Sequence, residues 1–244
     1  MIRVTCLSAI LVLVCPITLA ASEDPHWTYE GEDGPEHWGE LAEQFDMCER
    51  GANQSPIDLV AHIAADLPKL DFDYPNPGVK EINTGHAIQE EVNPGNFVTF
   101  MDHRFELKQF HFHSPSEHTV GGESFPMEVH LVHQDQDNNF LVVGLMFEEG
   151  ARNKILDMLP SFRMQRGEDP YGDPIDYNTL ITDRGEYFLY SGSLTTPPCT
   201  EGVQWVVIKK PIIASPDQIQ HYHDLLGFDN NRPIQPYNSR LVLD

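Results

Sequence analysis

Lys108-Gln109-Phe110-His111-Phe112-His113, read together with Pro126-Met127-Glu128-Val129-His130-Leu131-Val132-His133, is the part of this 244-residue chain that decides the fold. Side chains alternate between the two faces of a β-strand. His111 and His113 therefore share one face, with Phe110 and Phe112 packed behind them. The second segment has strand composition and supplies a third imidazole from a neighbouring strand. Glu128 and His130 share a face there, whereas His133 falls on the opposite side and is assigned to the core. A His-x-His pair is a weak signal by itself. Three converging neutral imidazoles are a stronger one, because they hold a divalent metal such as zinc and leave one coordination position open, as catalytic rather than structural sites do.

Outward from this centre, extended segments are predicted at Val79 to Asn83, Ala87 to Val92, Phe97 to Met101, Arg104 to His113, Phe125 to His133, Phe140 to Phe147, Tyr187 to Tyr190 and Val203 to Lys210. Asn83-Thr84-Gly85, Asn93-Pro94-Gly95 and Gly121-Gly122 separate several of them as turns. The short connections imply a mostly antiparallel sheet. Asn153 to Phe162 reads as a short amphipathic helix interrupted by Pro160. A clearer helix starts at Ser215 as N-cap, with Pro216 at its first position, Gln218 closing a capping box and Gly227 at the stop. Before the sheet, Trp27, Tyr29, His37 and Trp38 are expected to pack as an irregular aromatic arm, and Ser55-Pro56 is a candidate cis peptide.

Composition narrows the function. The chain carries 15 Lys and Arg against 38 Asp and Glu, a formal charge of −23. That charge repels nucleic acid and anionic membranes, so neither is expected as a partner. Residues 1–20 read as a signal peptide, with Arg3 at the start, an apolar run from Val4 to Val14 and small residues around Thr18-Leu19-Ala20. The run is too short to span a bilayer, so no membrane insertion is expected after its removal. A secreted or periplasmic destination follows, and residues 21–244 remain as one domain. Cys48 and Cys199 are then the two remaining cysteines, and an oxidising compartment favours their pairing. A loop of that length stabilises a fold by roughly 4 to 5 kcal/mol in the chain-entropy model.

Several separated motifs, in order, resemble the α-class carbonic anhydrases, particularly secreted bacterial ones: Gly34-Pro35-Glu36-His37-Trp38, Gln54-Ser55-Pro56-Ile57, Asn83-Thr84-Gly85-His86, Gln109 to His113, Ser116-Glu117-His118-Thr119-Val120, Glu128 to His133, Ser193-Leu194-Thr195-Thr196-Pro197-Pro198 and Asn231-Arg232-Pro233. The resemblance spans essentially the whole chain after the signal. It implies a single mostly β (α+β) domain, with a mainly antiparallel central sheet of about ten strands and short peripheral helices. It also implies reversible hydration of carbon dioxide to bicarbonate and a proton at Zn2+ held by His111, His113 and His130.

Further roles follow from the same resemblance. Thr195 and Glu117 direct the attacking oxygen, and His86 shuttles the proton. Gln109 and Glu128 orient the metal-binding imidazoles, with His118 and Tyr190 behind Glu128. Tyr29, Thr84 and Gln89 order a water path, although asparagine is familiar at the last two positions. Val132, Val142, Leu194, Thr196, Val203 and Trp205 form the carbon dioxide pocket. Sulfonamide and anion inhibitors and a homodimer are also implied. The short connection from Gln134 to Phe140 departs from the longer vertebrate form and leaves one wall of the cavity mouth open to variation.

Two other readings compete. A cupin-type metal enzyme shares His111-x-His113 followed by Glu117, but its second motif is missing near His130. A zinc-free binding module of the carbonic anhydrase type would have lost donors that this chain retains.

Overall fold

The computed structural model describes residues 25–60, 63–162, 176–181 and 184–244. The predicted signal peptide, residues 1–20, lies outside them. Among the described residues the strands, in chain order, are β1 (Asp71–Asp73), β2 (Val79–Asn83), β3 (Ile88–Val92), β4 (Phe97–Phe100), β5 (His103–His113), β6 (Thr119–Val120), β7 (Glu123–Ser124), β8 (Met127–Gln134), β9 (Phe140–Glu149), β10 (Tyr187–Ser193) and β11 (Glu201–Ala214). Three α-helices accompany them: α1 (Trp38–Leu41), α2 (Met47–Arg50) and α3 (Pro216–Leu226).

Nine strands form one sheet in the order β1-β4-β5-β8-β9-β11-β10, with β2 joined through β3 to β5. Pairing is antiparallel except between β9 and β11, which run parallel. β6 and β7 form a separate ribbon. The expected mostly antiparallel sheet with short peripheral helices is therefore present.

β5 is the spine. β8 pairs along one side of it, while β4 takes its first half and β3 its second half on the other. One residue, Lys108, is skipped in the pairing with β8: Leu107 faces His133, and the next partners are Gln109 and Val132. Such a bulge inverts the alternation of faces beyond it. Phe105, Leu107, Phe110 and Phe112 consequently all enter the same core, alongside Val129 and Leu131 of β8. Without the bulge, Phe105 and Leu107 would share a face with His111.

The sheet buries apolar surface on both faces. The larger core lies between it and α3, Leu156–Met158 and Pro160–Phe162. Ile57, Leu59, Val132, Val142, Val203, Trp205 and Val207 belong to a second cluster. The α3 capping box between Ser215 and Gln218 is present, and Gly227 ends the helix at φ +81°, as its sequence predicts. A feature not read from the sequence joins the loops before β2 and after β3. Asn76-Pro77-Gly78 and Asn93-Pro94-Gly95 grip each other, Asn76 Nδ2 donating to Pro94 O at 2.9 Å and Asn93 Nδ2 to Pro77 O at 2.6 Å. A Cβ on Gly78 would stand 2.6 Å from Asn93 Nδ2, and one on Gly95 2.5 Å from Asn76 Nδ2, so both positions require glycine.

Several sequence expectations are corrected. Asn153 to Phe162 is not one amphipathic helix but two 3₁₀ turns, Leu156–Met158 and Pro160–Phe162. Pro160 offers no N–H and crowds the carbonyl four residues earlier, which stops the helix before it can propagate. Met101 leaves β4 for a two-residue turn with Asp102, at φ 49° and 63°. Ala87 and Phe125 fall outside β3 and β8, while β10 and β11 extend past Tyr190 and Lys210. In the N-terminal arm Trp38 is fully buried and packs with Trp27 and Tyr29, but His37 is exposed, its Nδ1 3.8 Å from Glu40. Ser55-Pro56 is cis, as expected.

Candidate active site

His111 on β5 lies directly opposite His130 on β8, and His113 opposite Glu128. Alternation along each strand turns these residues away from the core that holds Phe110 and Phe112, so that three imidazoles meet on the other face, while the bulge at Lys108 lets Phe105 and Leu107 stay in that core. Their nitrogens form a group able to hold a metal ion.

Two of the rings are oriented by a hydrogen bond to the nitrogen that faces away from the cluster, and the third by a neighbouring carboxylate. His111 Nδ1 donates to Gln109 Oε1 at 2.8 Å, and His113 Nδ1 donates to Asn230 O at 2.6 Å. His130 Nε2 lies 2.9 Å from Glu128 Oε1. An oxygen acceptor requires N–H on the nitrogen beside it, so the lone pairs left over are Nε2 of His111, Nε2 of His113 and Nδ1 of His130. This is how metal-binding histidines are aimed. Burial, with the neighbouring imidazoles adding to it, keeps His111 well below its ordinary pKa; burial likewise lowers His113. Burial opposes the proton on His130, but Glu128 outweighs it and raises the value.

Glu128 is fully buried and saturated. Its Oε2 accepts from the backbone N–H groups of Glu117 and His118 at 2.9 Å each, and its Oε1 from His118 Nδ1 at 2.8 Å. Burial works against its charge, yet His118 and His130 beside it hold the carboxylate well below its usual range. His118 Nε2 meets Tyr190 Oη at 2.6 Å, so both its nitrogens are occupied. His118, Glu128 and His130 also cluster closely enough to suggest a second metal set, but these bonds already occupy His118 and Glu128. Gly144 faces His130 across β9, where a Cβ would come within 3.0 Å of Glu128 Oε1. His133, on the other face of β8, is the satisfied core histidine that its position predicts: Nε2 meets Tyr74 Oη at 2.6 Å and Nδ1 meets Leu141 O at 3.2 Å.

The donor set fits a divalent cation. His113 Nε2 and Glu117 Oε2 are both buried without hydrogen-bond partners. Glu117 Oε2 stands 3.5 Å from His113 Nε2 and 3.8 Å from His130 Nδ1. A carboxylate oxygen facing two lone pairs is unfavourable until a positive charge sits among them. Three neutral imidazoles with an open position are a zinc donor set.

The remaining expected residues divide into three groups. Tyr29, Thr84, His86, Gln89 and Thr196 line a cavity of 240 Å³ together with Gln109, His111 and His113. Val132, Val142, Leu194, Val203 and Trp205 gather in one apolar cluster, with the Trp205 ring 4.8 Å from that of His130. Thr195 is buried on the loop that Cys199 N closes onto Thr196 O at 2.8 Å, but its hydroxyl does not bond to Glu117, whose Oε2 turns toward the histidines. The Cys48–Cys199 disulfide is formed, with 5.0 Å between Cα atoms.

Two functional residues were not read as such from the sequence. Asn230 orients His113 and donates to Phe112 O at 3.0 Å; nothing in its neighbours marks it. Arg232 stood within a recognised motif without a role. Its backbone N–H donates to Glu117 Oε1 at 2.9 Å, while its buried guanidinium binds Gln54 Oε1, Ser55 O and Cys48 O.

Comparison with known proteins agrees with this geometry. A carbonic anhydrase of Pectobacterium carotovorum is 40% identical over 239 residues, 96% of this chain and 97% of the relative. The α-carbonic anhydrase of Thermovibrio ammonificans, solved with the inhibitor sulfanilamide, has a TM-score of 0.85 at 41% identity, covering 91% of this chain and all of that one (100%). A carbonic anhydrase of Chlamydomonas reinhardtii in complex with acetazolamide has a TM-score of 0.76 at 33% identity, over 89% and 98%. The cupin alternative finds no support in the fold or in these relatives. With the eukaryotic-type carbonic anhydrase model matching residues 33–244, the chain belongs to the carbonic anhydrase family.

Proposed function

We propose that the protein catalyses reversible hydration of carbon dioxide to bicarbonate and a proton, with zinc held by His111, His113 and His130. The observation that carries this reading is the convergence of three imidazole lone pairs on a buried point where His113 Nε2 and Glu117 Oε2 lack partners. Zinc, when bound, lowers the pKa of its water so that a nucleophile exists near neutral pH, a property for which carbonic anhydrase is itself the standard example.

The chain's own residues do the rest. Gln109, Asn230 and Glu128 fix the three rings, and thereby the direction of the open position. Val132, Val142, Leu194, Val203 and Trp205 offer carbon dioxide an apolar wall beside it. Thr195 would accept a hydrogen bond from the attacking oxygen and donate its own O–H in a hydrogen bond to Glu117, an acceptor-only group when ionised; this requires Glu117 Oε2 to swing from the histidines to the hydroxyl. His86 exports the proton. Its ring stacks on Trp27 with centroids 3.6 Å apart and borders the same cavity as His111 and His113. Burial, with His26 adding to it, lowers the His86 pKa from its ordinary 6.5, which favours release of a proton to solvent. Tyr29, Thr84 and Gln89 line the space between and order its water. Sulfonamides, which the solved relatives bind, are expected to inhibit at this site. Export to a periplasmic or extracellular compartment suits the disulfide.

Stopped-flow hydration of carbon dioxide, before and after chelation and after zinc restoration, tests the reading. Activity is expected to vanish with the metal and to return with zinc. A protein that keeps zinc and hydrates nothing would instead be a binding module. His86→Ala is expected to slow turnover without affecting zinc content and to be partly rescued by small imidazole buffers; undiminished turnover in dilute buffer removes His86 from the path.

A further inference from the structure

Glu81 on β2 and Glu90 on β3 stand directly opposite each other in register. Alternation puts Glu90 on the same face as Ile88, toward the larger core. It is fully buried, and neither of its carboxylate oxygens has a hydrogen-bond partner. Like charges facing each other across a pair of strands are unfavourable, and an isolated buried carboxylate is far more so.

The described surroundings offer no positive charge. From β2 comes Glu81; from α3 comes Tyr222, whose hydroxyl donates to Phe112 O at 3.1 Å. From the turn Pro160–Phe162 comes Ser161, whose N–H donates to Glu81 Oε2 at 2.7 Å while its buried hydroxyl has no partner. Phe110 faces Glu90 from β5. The nearest lysine in sequence, Lys80, alternates to the other face and lies 3.6 Å from Glu91.

We infer that Glu81 and Glu90 share one buried proton, Glu90 donating as a carboxylic acid to the Glu81 carboxylate, and that this bond clamps the β2–β3 hairpin to the core. Proton sharing removes one of two facing charges and gives the buried carboxyl a partner. The same hairpin presents Thr84, His86 and Gln89 to the cavity. Burial first, and the facing carboxyl of Glu81 after it, raise Glu90 from 4.5 to about 9. The folded chain thus keeps a proton that the unfolded chain releases above about 4.5. The stability it contributes is full below that value, declines as pH rises, and is lost through about 9.

The test uses the zinc-loaded protein. Infrared spectroscopy at neutral pH is expected to show a carboxylic-acid C=O stretch in the wild type that Glu90→Gln removes. Glu90→Gln, whose amide donates in place of the proton, is expected to melt within about 2 °C of wild type at neutral pH and about 4 °C or more above it near pH 10. Parallel melting curves across the pH range would overturn the inference, as would a wild type without the carboxylic-acid band. Stabilisation by Ca2+ or Mg2+ that Glu90→Gln abolishes would assign the pair to a cation and overturn it equally. Should Glu90→Gln not fold, the wild-type band still decides, with Glu81→Gln as the second variant. None of these measurements depends on catalysis.

Discussion

β8 carries two histidines on opposite faces, and their environments differ in every respect that matters for chemistry. His133 points into the larger core, with one nitrogen on Tyr74 and the other on Leu141 O, and nothing is left to bind. His130 points into the cleft, with Glu128 beside one nitrogen and the other facing His113, His111 and Glu117. Both are buried, so burial alone does not make a ligand. What separates them is whether the protein closes both nitrogens or leaves one lone pair open beside others.

His130 finds open lone pairs beside it only because β5 presents His111 and His113 on the same face while the bulge at Lys108 keeps Phe105 and Leu107 in the core, and the most severe way to break this is to delete that residue. Deletion is expected to turn His111 and His113 into the core, or to turn Phe105 and Leu107 out of it. Loss of zinc in metal analysis together with a broadened, lowered melt is the expected result; a native-like melt with stoichiometric zinc would show that the bulge does not set the faces. His130→Ala is the next largest effect. It is expected to abolish zinc retention and hydration while leaving the fold in place by circular dichroism.

Gln109→Ala sharpens the comparison from the other side, since it frees the nitrogen of His111 that a ligand must have occupied. A drop of roughly 10- to 100-fold in zinc affinity is expected from competition chelation, with full activity at saturating zinc less affected. His133→Ala should be the mildest for function. Zinc content and turnover are expected to stay near wild type, whereas stability falls by about 1 to 3 kcal/mol because Tyr74 and Leu141 O lose their partner. Burial lowers His133 from 6.5 to about 3, so it is neutral when folded and protonated when unfolded in acid. Its contribution to stability is complete above its unfolded value and is lost as pH falls toward about 3, so chemical denaturation curves of wild type and His133→Ala should converge on acidification.

Glu81 and Glu90 offer a similar contrast with Glu128. All three carboxylates lie on the sheet, but Glu128 meets two backbone N–H groups and two imidazoles and remains ionised, while Glu90 meets only another acid. From the sequence, Ile88-Gln89-Glu90-Glu91-Val92 looks like a strand with an exposed polar centre. Burial of Glu90 became visible only once α3 and the Pro160–Phe162 turn were packed over it.

Local residue types and spacing made much of the molecule legible. The face shared by His111 and His113, the core side of His133, the capping box of α3 and the disulfide partners all follow from alternation, end chemistry or compartment. The ligand set and the roles of Thr195, Glu117 and His86 came from motif resemblance, and the structure places His86, His111 and His113 on one cavity and Glu117 against His113 and His130 without closing the Thr195 to Glu117 bond. Asn230, the guanidinium of Arg232 and the paired Asn-Pro-Gly turns were not legible, because each acts through backbone carbonyls, amides or distant side chains that local patterns do not encode. The interruption at Pro160 was legible but the helix type was not: amphipathic spacing reports which side chains want burial, not whether the backbone can close its α-helical hydrogen bonds.

By itself the sequence determined that two strands would present histidines to a common side and that phenylalanines would lie behind them, since side-chain direction along a strand is fixed by covalent geometry. Only the tertiary structure decided which lone pairs stay open and which carboxylate keeps its proton. Those depend on partners that arrive from elsewhere in the chain, and a buried polar group takes its state from the neighbours that replace water.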